Sequence, residues 1–127
     1  MPLQTKRWDD PIGAGDGLRV LVCRYRPRGV RKEGEPWDIW APDLGPSRDL
    51  LAAYHGKHAP PIGWPEYERR YLAEMKAAPP LARMLIRELH ERLGRGESIT
   101  LLCSSACVDP AHCHRTLLAP IVLRGAA

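Results

Sequence analysis

Two short stretches of the chain are almost wholly apolar, and longer amphipathic stretches lie between them. Leu18 to Arg24 contains the run Val20, Leu21, Val22, Cys23, and Ser98 to Cys103 reads SITLLC. Runs of this length and continuity suit strands buried on both faces of a parallel sheet. Leu3 to Arg7 reads as a short additional strand. Ser47 is placed to cap a helix whose apolar side is Leu50, Leu51 and Tyr54, with Gly56 as its stop. Trp64, Tyr67, Tyr71, Leu72 and Met75 fall at helical spacing over Trp64 to Ala77, with Pro65 tolerated in the first turn. Pro79 and Pro80 end that helix. Leu81, Met84, Leu85 and Leu89 mark a further helix over Leu81 to Leu93. A last helix starts near His114 and carries its apolar side over Thr116 to Val122, where Pro120 is expected to kink or shorten it. Asp10 to Gly17, Arg24 to Trp40, His58 to Gly63 and Ser104 to Cys113 read as connections.

Strands alternating with helices predict an α/β fold: a single compact three-layer domain over residues 1–127, with a small, mostly parallel sheet flanked by helices. In such sheets ligands bind beyond the carboxyl ends of the strands. The strands at Leu18 to Arg24 and Ser98 to Cys103 both end in chemically rich loops. If the strands are neighbours, those loops share one site.

Composition narrows the class. The chain has 127 residues, 44% of them hydrophobic and 27% charged, enough for one core in one domain. Phe is absent and there are 13 prolines, so Trp, Tyr, Leu and Val fill the interior while proline populates the connections. No stretch reaches the roughly 18 apolar residues of a membrane span. Met1 to Asp10 has no signal-peptide core. A cytoplasmic, soluble protein is expected, in which the 4 cysteines are free thiols, metal ligands or reactive groups rather than a disulfide framework. The net charge of +4 favours anionic partners, and equally suits a basic surface kept for solubility.

Between Gly17 and Lys32 stand 6 basic residues and no acid: Arg19, Arg24, Arg26, Arg28, Arg31 and Lys32. The guanidinium fork holds phosphate or carboxylate in two places. Arg24, Arg26 and Arg28 are therefore candidates to hold an anion, against the plainer reading that they pair with Glu33, Glu35 and Asp38. Tyr25, Trp37 and Trp40 lie close enough in sequence to admit a nucleic-acid surface, though the interleaving is sparse.

The second loop reads Cys103-x3-Cys107-x5-Cys113-His114-Arg115, and three readings of it are open. Cys103 at a strand end, or Cys113 at a helix N-terminus, can serve as a nucleophile, with His114 and Arg115 favouring a thiolate. The common phosphate cradle is absent, because the position six residues after each cysteine holds Asp109 or Ala119. Alternatively Cys103, Cys107 and Cys113 with His112 (or His114) offer four soft ligands to zinc, although adjacent Cys113 and His114 do not form an ordinary second pair. Third, the cysteines are simply small buried residues, with His114 and Arg115 orienting the last helix.

Taken together, Lys6-Arg7, Arg19-Val-Leu-Val22, Arg24, Pro27-Arg-Gly-Val30, Lys32-Glu33, Trp40, Pro46-Ser47, Trp64, Tyr67, Arg70-Tyr71, Glu74-Met75, Thr100-Leu-Leu-Cys103 and Cys113-His-Arg115 resemble the YeaO-like branch of the domain-of-unknown-function 488 family. The resemblance covers nearly the whole chain. It implies a compact α/β sandwich and no particular activity, and it supports treating Arg24, Arg28, Cys103, Cys113, His114 and Arg115 as one site. Cys23 stands where members often carry an acid, and Ser104-Ser105 where an acid usually follows Cys103, which argues against a carboxylate acid or base in these loops.

The leading expectation is a pocket for a small anionic ligand, a nucleotide or phosphorylated metabolite, held by Arg24, Arg26, Arg28, His114 and Arg115. Cys103 or Cys113 would be the nucleophile if a bond is broken. A nucleic-acid-binding module and a zinc-stabilised interaction domain are the alternatives. Whether the chain is an enzyme, and its oligomeric state, stay open.

Overall fold

The computed structural model describes residues 2–127. Four strands form one sheet: β1 (Leu3–Arg7), β2 (Leu18–Leu21), β3 (Ile39–Trp40) and β4 (Ile99–Cys103), in the order β1-β4-β2-β3. Every pairing is parallel, with Leu3 and Leu18 both opposite Ile99. β4 is buried at all five positions, as its continuous apolar run demands of a central strand. The expected mostly parallel α/β sheet is thus wholly parallel. β3 falls within the expected long connection and extends the sheet by two residues. β2 stops at Leu21, three residues short of expectation, although the Val22 amide still donates to the Leu102 carbonyl at 2.9 Å.

One face of the sheet carries all four α-helices: α1 (Arg48–His55), α2 (Trp64–Lys76), α3 (Pro80–Gly94) and α4 (His114–Arg124). Val20, Val22, Ile99 and Leu101 project into this layer against Leu50, Tyr67, Tyr71, Ile86, Leu118 and Ile121. The Ser47 hydroxyl caps α1 by accepting the Leu50 amide at 3.1 Å, and Glu74 of α2 accepts from both the amide and the hydroxyl of Ser47. Gly56 closes α1 in the left-handed conformation, φ 70°. The helix α4 continues through Pro120 to Arg124, so the expected shortening does not occur; Pro120 sits on its exposed side.

The opposite face is covered by loops. Trp8, Val30 and Trp37 lie over Leu21 and Leu102. Beside them Asp16 gathers the polar groups: its carboxylate accepts Gln4 Nε2 at 2.7 Å, Lys6 Nζ at 2.8 Å, the Gly13 amide at 3.2 Å and an Arg19 terminal nitrogen. Arg19 also donates to the Pro36 carbonyl at 2.6 Å, so this arginine of the basic stretch belongs to the architecture.

Tyr71 ties α2 to the segment before α1, its hydroxyl donating to the Leu44 carbonyl at 2.7 Å in a fully buried position. Tyr71→Phe leaves that carbonyl without a partner and is expected to cost about 1–3 kcal/mol in a urea melt. An unchanged midpoint would show that the bond carries no net weight.

Candidate functional site

Because β2 and β4 are adjacent and parallel, their carboxyl ends and the N-terminus of α4 converge. Between them and α1 and α2 opens a cavity of about 220 Å³. Its floor is formed by Cys23, Cys103, Cys107, Cys113 and His114, its walls by Tyr54 and Tyr67, and its rim by Arg24, Tyr25, His55 and His112. Tyr54 and Tyr67 lie with ring centroids 4.4 Å apart, and Trp64 packs on Tyr67 at 5.2 Å. Burial raises the pKa of both tyrosines, so their hydroxyls stay protonated.

All four cysteines are reduced and close together. Cys103 Sγ lies 3.2 Å from Cys107 Sγ and 3.8 Å from Cys23 Sγ. Hydrogen bonding by Cys103, then by Cys113, pulls the Cys107 thiol down to about 3, with His114 and Arg115 adding smaller electrostatic help. The same contacts act the other way on their partners. Cys103 is raised chiefly by its bond to Cys107, and Cys113 by its bonds to Cys103 and Cys107. These contacts favour ionisation of half-buried Cys107 over either expected nucleophile.

His114 is buried, and its Nε2–H donates to the Val22 carbonyl at 2.7 Å. Burial pushes its pKa down against the pull of that bond, which keeps the ring neutral and leaves Nδ1 facing Cys103 Sγ at 3.8 Å. The donor atoms of Cys103, Cys113 and His114 all lie within 4.8 Å of one another. His112, expected as the fourth metal ligand, is instead exposed; it pairs with Asp109 at 3.1 Å and packs on Trp64 at 5.2 Å. The sequence could not separate two histidines two residues apart, whereas the start of α4 at His114 turns that ring inward.

The arginines divide. Arg24 reaches the cavity and is braced by the Pro46 carbonyl at 2.9 Å and Asp43 at 3.4 Å. Arg26 turns away, pairing with Glu35 at 2.7 Å and lying over Trp37. Arg28 is exposed, off the cavity wall. Arg115 is buried behind the cysteine loop, where one terminal nitrogen donates to the Cys107 carbonyl at 3.4 Å. Of the expected ligand-binding set, then, Arg24 and His114 line the cavity, and Arg26, Arg28 and Arg115 do not. Tyr54 and Tyr67 join it unannounced, since at helical spacing a tyrosine reads as core; Cys23 reads as the end of a strand.

A parallel α/β domain with a thiol-floored cavity at its strand ends is the class that fold and site define. The chain belongs to the DUF488-N3a family, described as the active DUF488-N3 subclade, whose sequence model matches residues 3–125. It is 37% identical over 75 residues to the uncharacterised protein YeaO of Escherichia coli K12, an alignment covering 59% of this chain and 63% of YeaO, less than two thirds of that relative. It is 34% identical over 82 residues to the uncharacterised proteins Mb3100c of Mycobacterium bovis and Rv3073c of Mycobacterium tuberculosis, covering 65% of this chain and 67% of theirs. No solved structure matches the chain. Among the described residues no helix is long and apolar enough to cross a membrane.

Proposed function

We propose that the cavity binds a small phosphorylated ligand carrying a planar ring, of the nucleotide class. The observation that carries this reading is the placement of Arg24 at the rim of a tyrosine-walled cavity at the strand carboxyl ends. Aromatic walls hold a ring by stacking, and a guanidinium at the mouth holds a phosphate. The brace from Pro46 and Asp43 fixes Arg24 before a ligand arrives, so little side-chain entropy is lost on binding. At about 220 Å³ the cavity encloses a ring and leaves the phosphate at the mouth. The word active in the family description supports a site that performs chemistry. A reducing cytoplasmic setting suits the four free thiols.

Titration calorimetry with adenosine 5′-monophosphate, ribose 5-phosphate and inorganic phosphate tests the reading. The ring-bearing phosphate is expected to bind tightest. Arg24→Ala should weaken it about tenfold or more, the worth of a charge-assisted hydrogen bond. Equal affinity in the variant, or no binding of any of the three, would remove the proposal. Tighter binding of a single-stranded oligonucleotide, falling steeply with salt, would favour the nucleic-acid reading instead.

A further inference from the structure

We propose that Cys103, Cys107, Cys113 and His114 form a tetrahedral site for zinc, which pins the loop between β4 and α4 and closes the floor of the cavity. This stands independently of the ligand proposed above.

Geometry comes first. A zinc ion with sulfur ligands at about 2.3 Å sets its sulfurs about 3.8 Å apart. Cys103 Sγ lies 3.2 Å from Cys107 Sγ and 3.8 Å from His114 Nδ1, and Cys113 shares a donor cluster with Cys103 and His114. Cys107 lies outside that tightest donor cluster but meets Cys103 at 3.2 Å, from where it would close onto the ion as the fourth ligand. Cys23 Sγ lies 3.8 Å from Cys103 Sγ, to which its S–H donates, but it is not a hydrogen-bond partner of Cys107 or Cys113 and so is left outside the set.

Histidine orientation is the second argument. A zinc-bound imidazole characteristically donates its other ring N–H to a carboxylate or a carbonyl, which fixes both tautomer and ring plane. His114 already does so, giving Nε2–H to the Val22 carbonyl at 2.7 Å and turning Nδ1 toward the sulfurs.

Charge is the third. Arg115 is only 4% exposed, and its Nε and one terminal nitrogen have no hydrogen-bond partner. A buried guanidinium without a counter-charge is costly. Three thiolates and a divalent cation carry a net charge of about −1, and Arg115 adjoins this loop through the Cys107 carbonyl. The zinc-bound cluster therefore keeps a net negative charge beside this arginine.

The experiment uses the full-length chain purified under reductant. Elemental mass spectrometry should find about one zinc per chain, and a thiol reagent should find the cluster cysteines protected until a chelator is added. Cobalt(II) in place of zinc should give the sulfur-to-cobalt charge-transfer band and the strong visible bands of tetrahedral thiolate coordination. Cys107→Ser should weaken cobalt binding by more than the roughly 100-fold that loss of an outer hydrogen-bond partner can cost. Cys23→Ser should keep the stoichiometry. Four thiols freely reactive in the folded wild-type protein, with no cobalt spectrum, would overturn the site even if a variant fails to fold. Wild-type cobalt affinity in Cys107→Ser would overturn this ligand set. Neither result bears on nucleotide binding at Arg24, so the two proposals fail separately.

Discussion

Asp16→Asn is expected to lower the free energy of unfolding by about 3–5 kcal/mol, the cost of breaking a buried ion pair from one side. Asp16 is 2% exposed and Arg19 is 4% exposed, so neither charge can turn to water. One terminal nitrogen of Arg19 already lacks a partner, which makes the carboxylate its main compensation. The neutral amide would also present an N–H group toward Lys6, Gln4 or Arg19, all of which donate here. Acid should reproduce part of the effect. Burial pushes the Asp16 carboxyl upward, but hydrogen bonds from Lys6, the Gly13 amide and Arg19 outweigh it and hold it below the ordinary value. A carboxyl depressed in the folded state stabilises fully above its unfolded value, near pH ~3.9. That stabilisation is lost as pH falls through the folded value. Urea melts at neutral and acidic pH should therefore show a stability decline in the wild type that is shallower in Asp16→Asn. Parallel pH profiles, or a neutral-pH loss under about 0.5 kcal/mol, would contradict the role given to this carboxylate.

Gly17→Ala is expected to be nearly as damaging, at about 3 kcal/mol or more. Gly17 has φ 63°, where a side chain is strained, and an added Cβ would stand 2.0 Å from the Ser98 carbonyl oxygen. That oxygen accepts the Leu18 amide at 2.9 Å, the first bond between β2 and β4. The clash is with backbone on both sides, so no side chain can rotate to relieve it. Thermal unfolding followed by circular dichroism measures the loss; a melting temperature within a degree or two of wild type would mean the two strands can shift apart cheaply.

What the sequence disclosed and what it hid follow from the range of the interactions involved. The strands at Val20 and Leu101, and the cap and stop of α1 at Ser47 and Gly56, were legible because each rests on a local pattern. β3 was not, because Ile39 and Trp40 are too few to show a period and pair only because the edge of β2 is open to them. Asp16 read as one loop acid among others, since Gln4 and Thr100, 12 and 84 residues away, are what make it a hub. Arg24 and Arg26 look equivalent in the sequence; Glu35 and Trp37 take one of them and leave the other at the cavity. Pro120 was a misleading signal, because its position on an exposed helix side lets the chain continue past it. The gathering of chemistry at one sheet end was foreseeable from the two strand ends, whereas the choice of His114 over His112 needed the helix axis.

The strand order also governs how the chain can be made. β4 lies between β1 and β2, and it is the last of the four strands to leave the ribosome. Until residue 103 has emerged, β1 has no partner and β2 has only the two residues of β3. The nascent chain therefore carries the apolar strand β2 with only β3 beside it until β4 emerges. Its two pairings with β4 then join residues 96 and 81 positions apart, Leu3 and Leu18 both to Ile99, a slow and aggregation-exposed route. Pairing of the sheet in chain order is closed to this fold, and β1 waits for β4 before it has a neighbour.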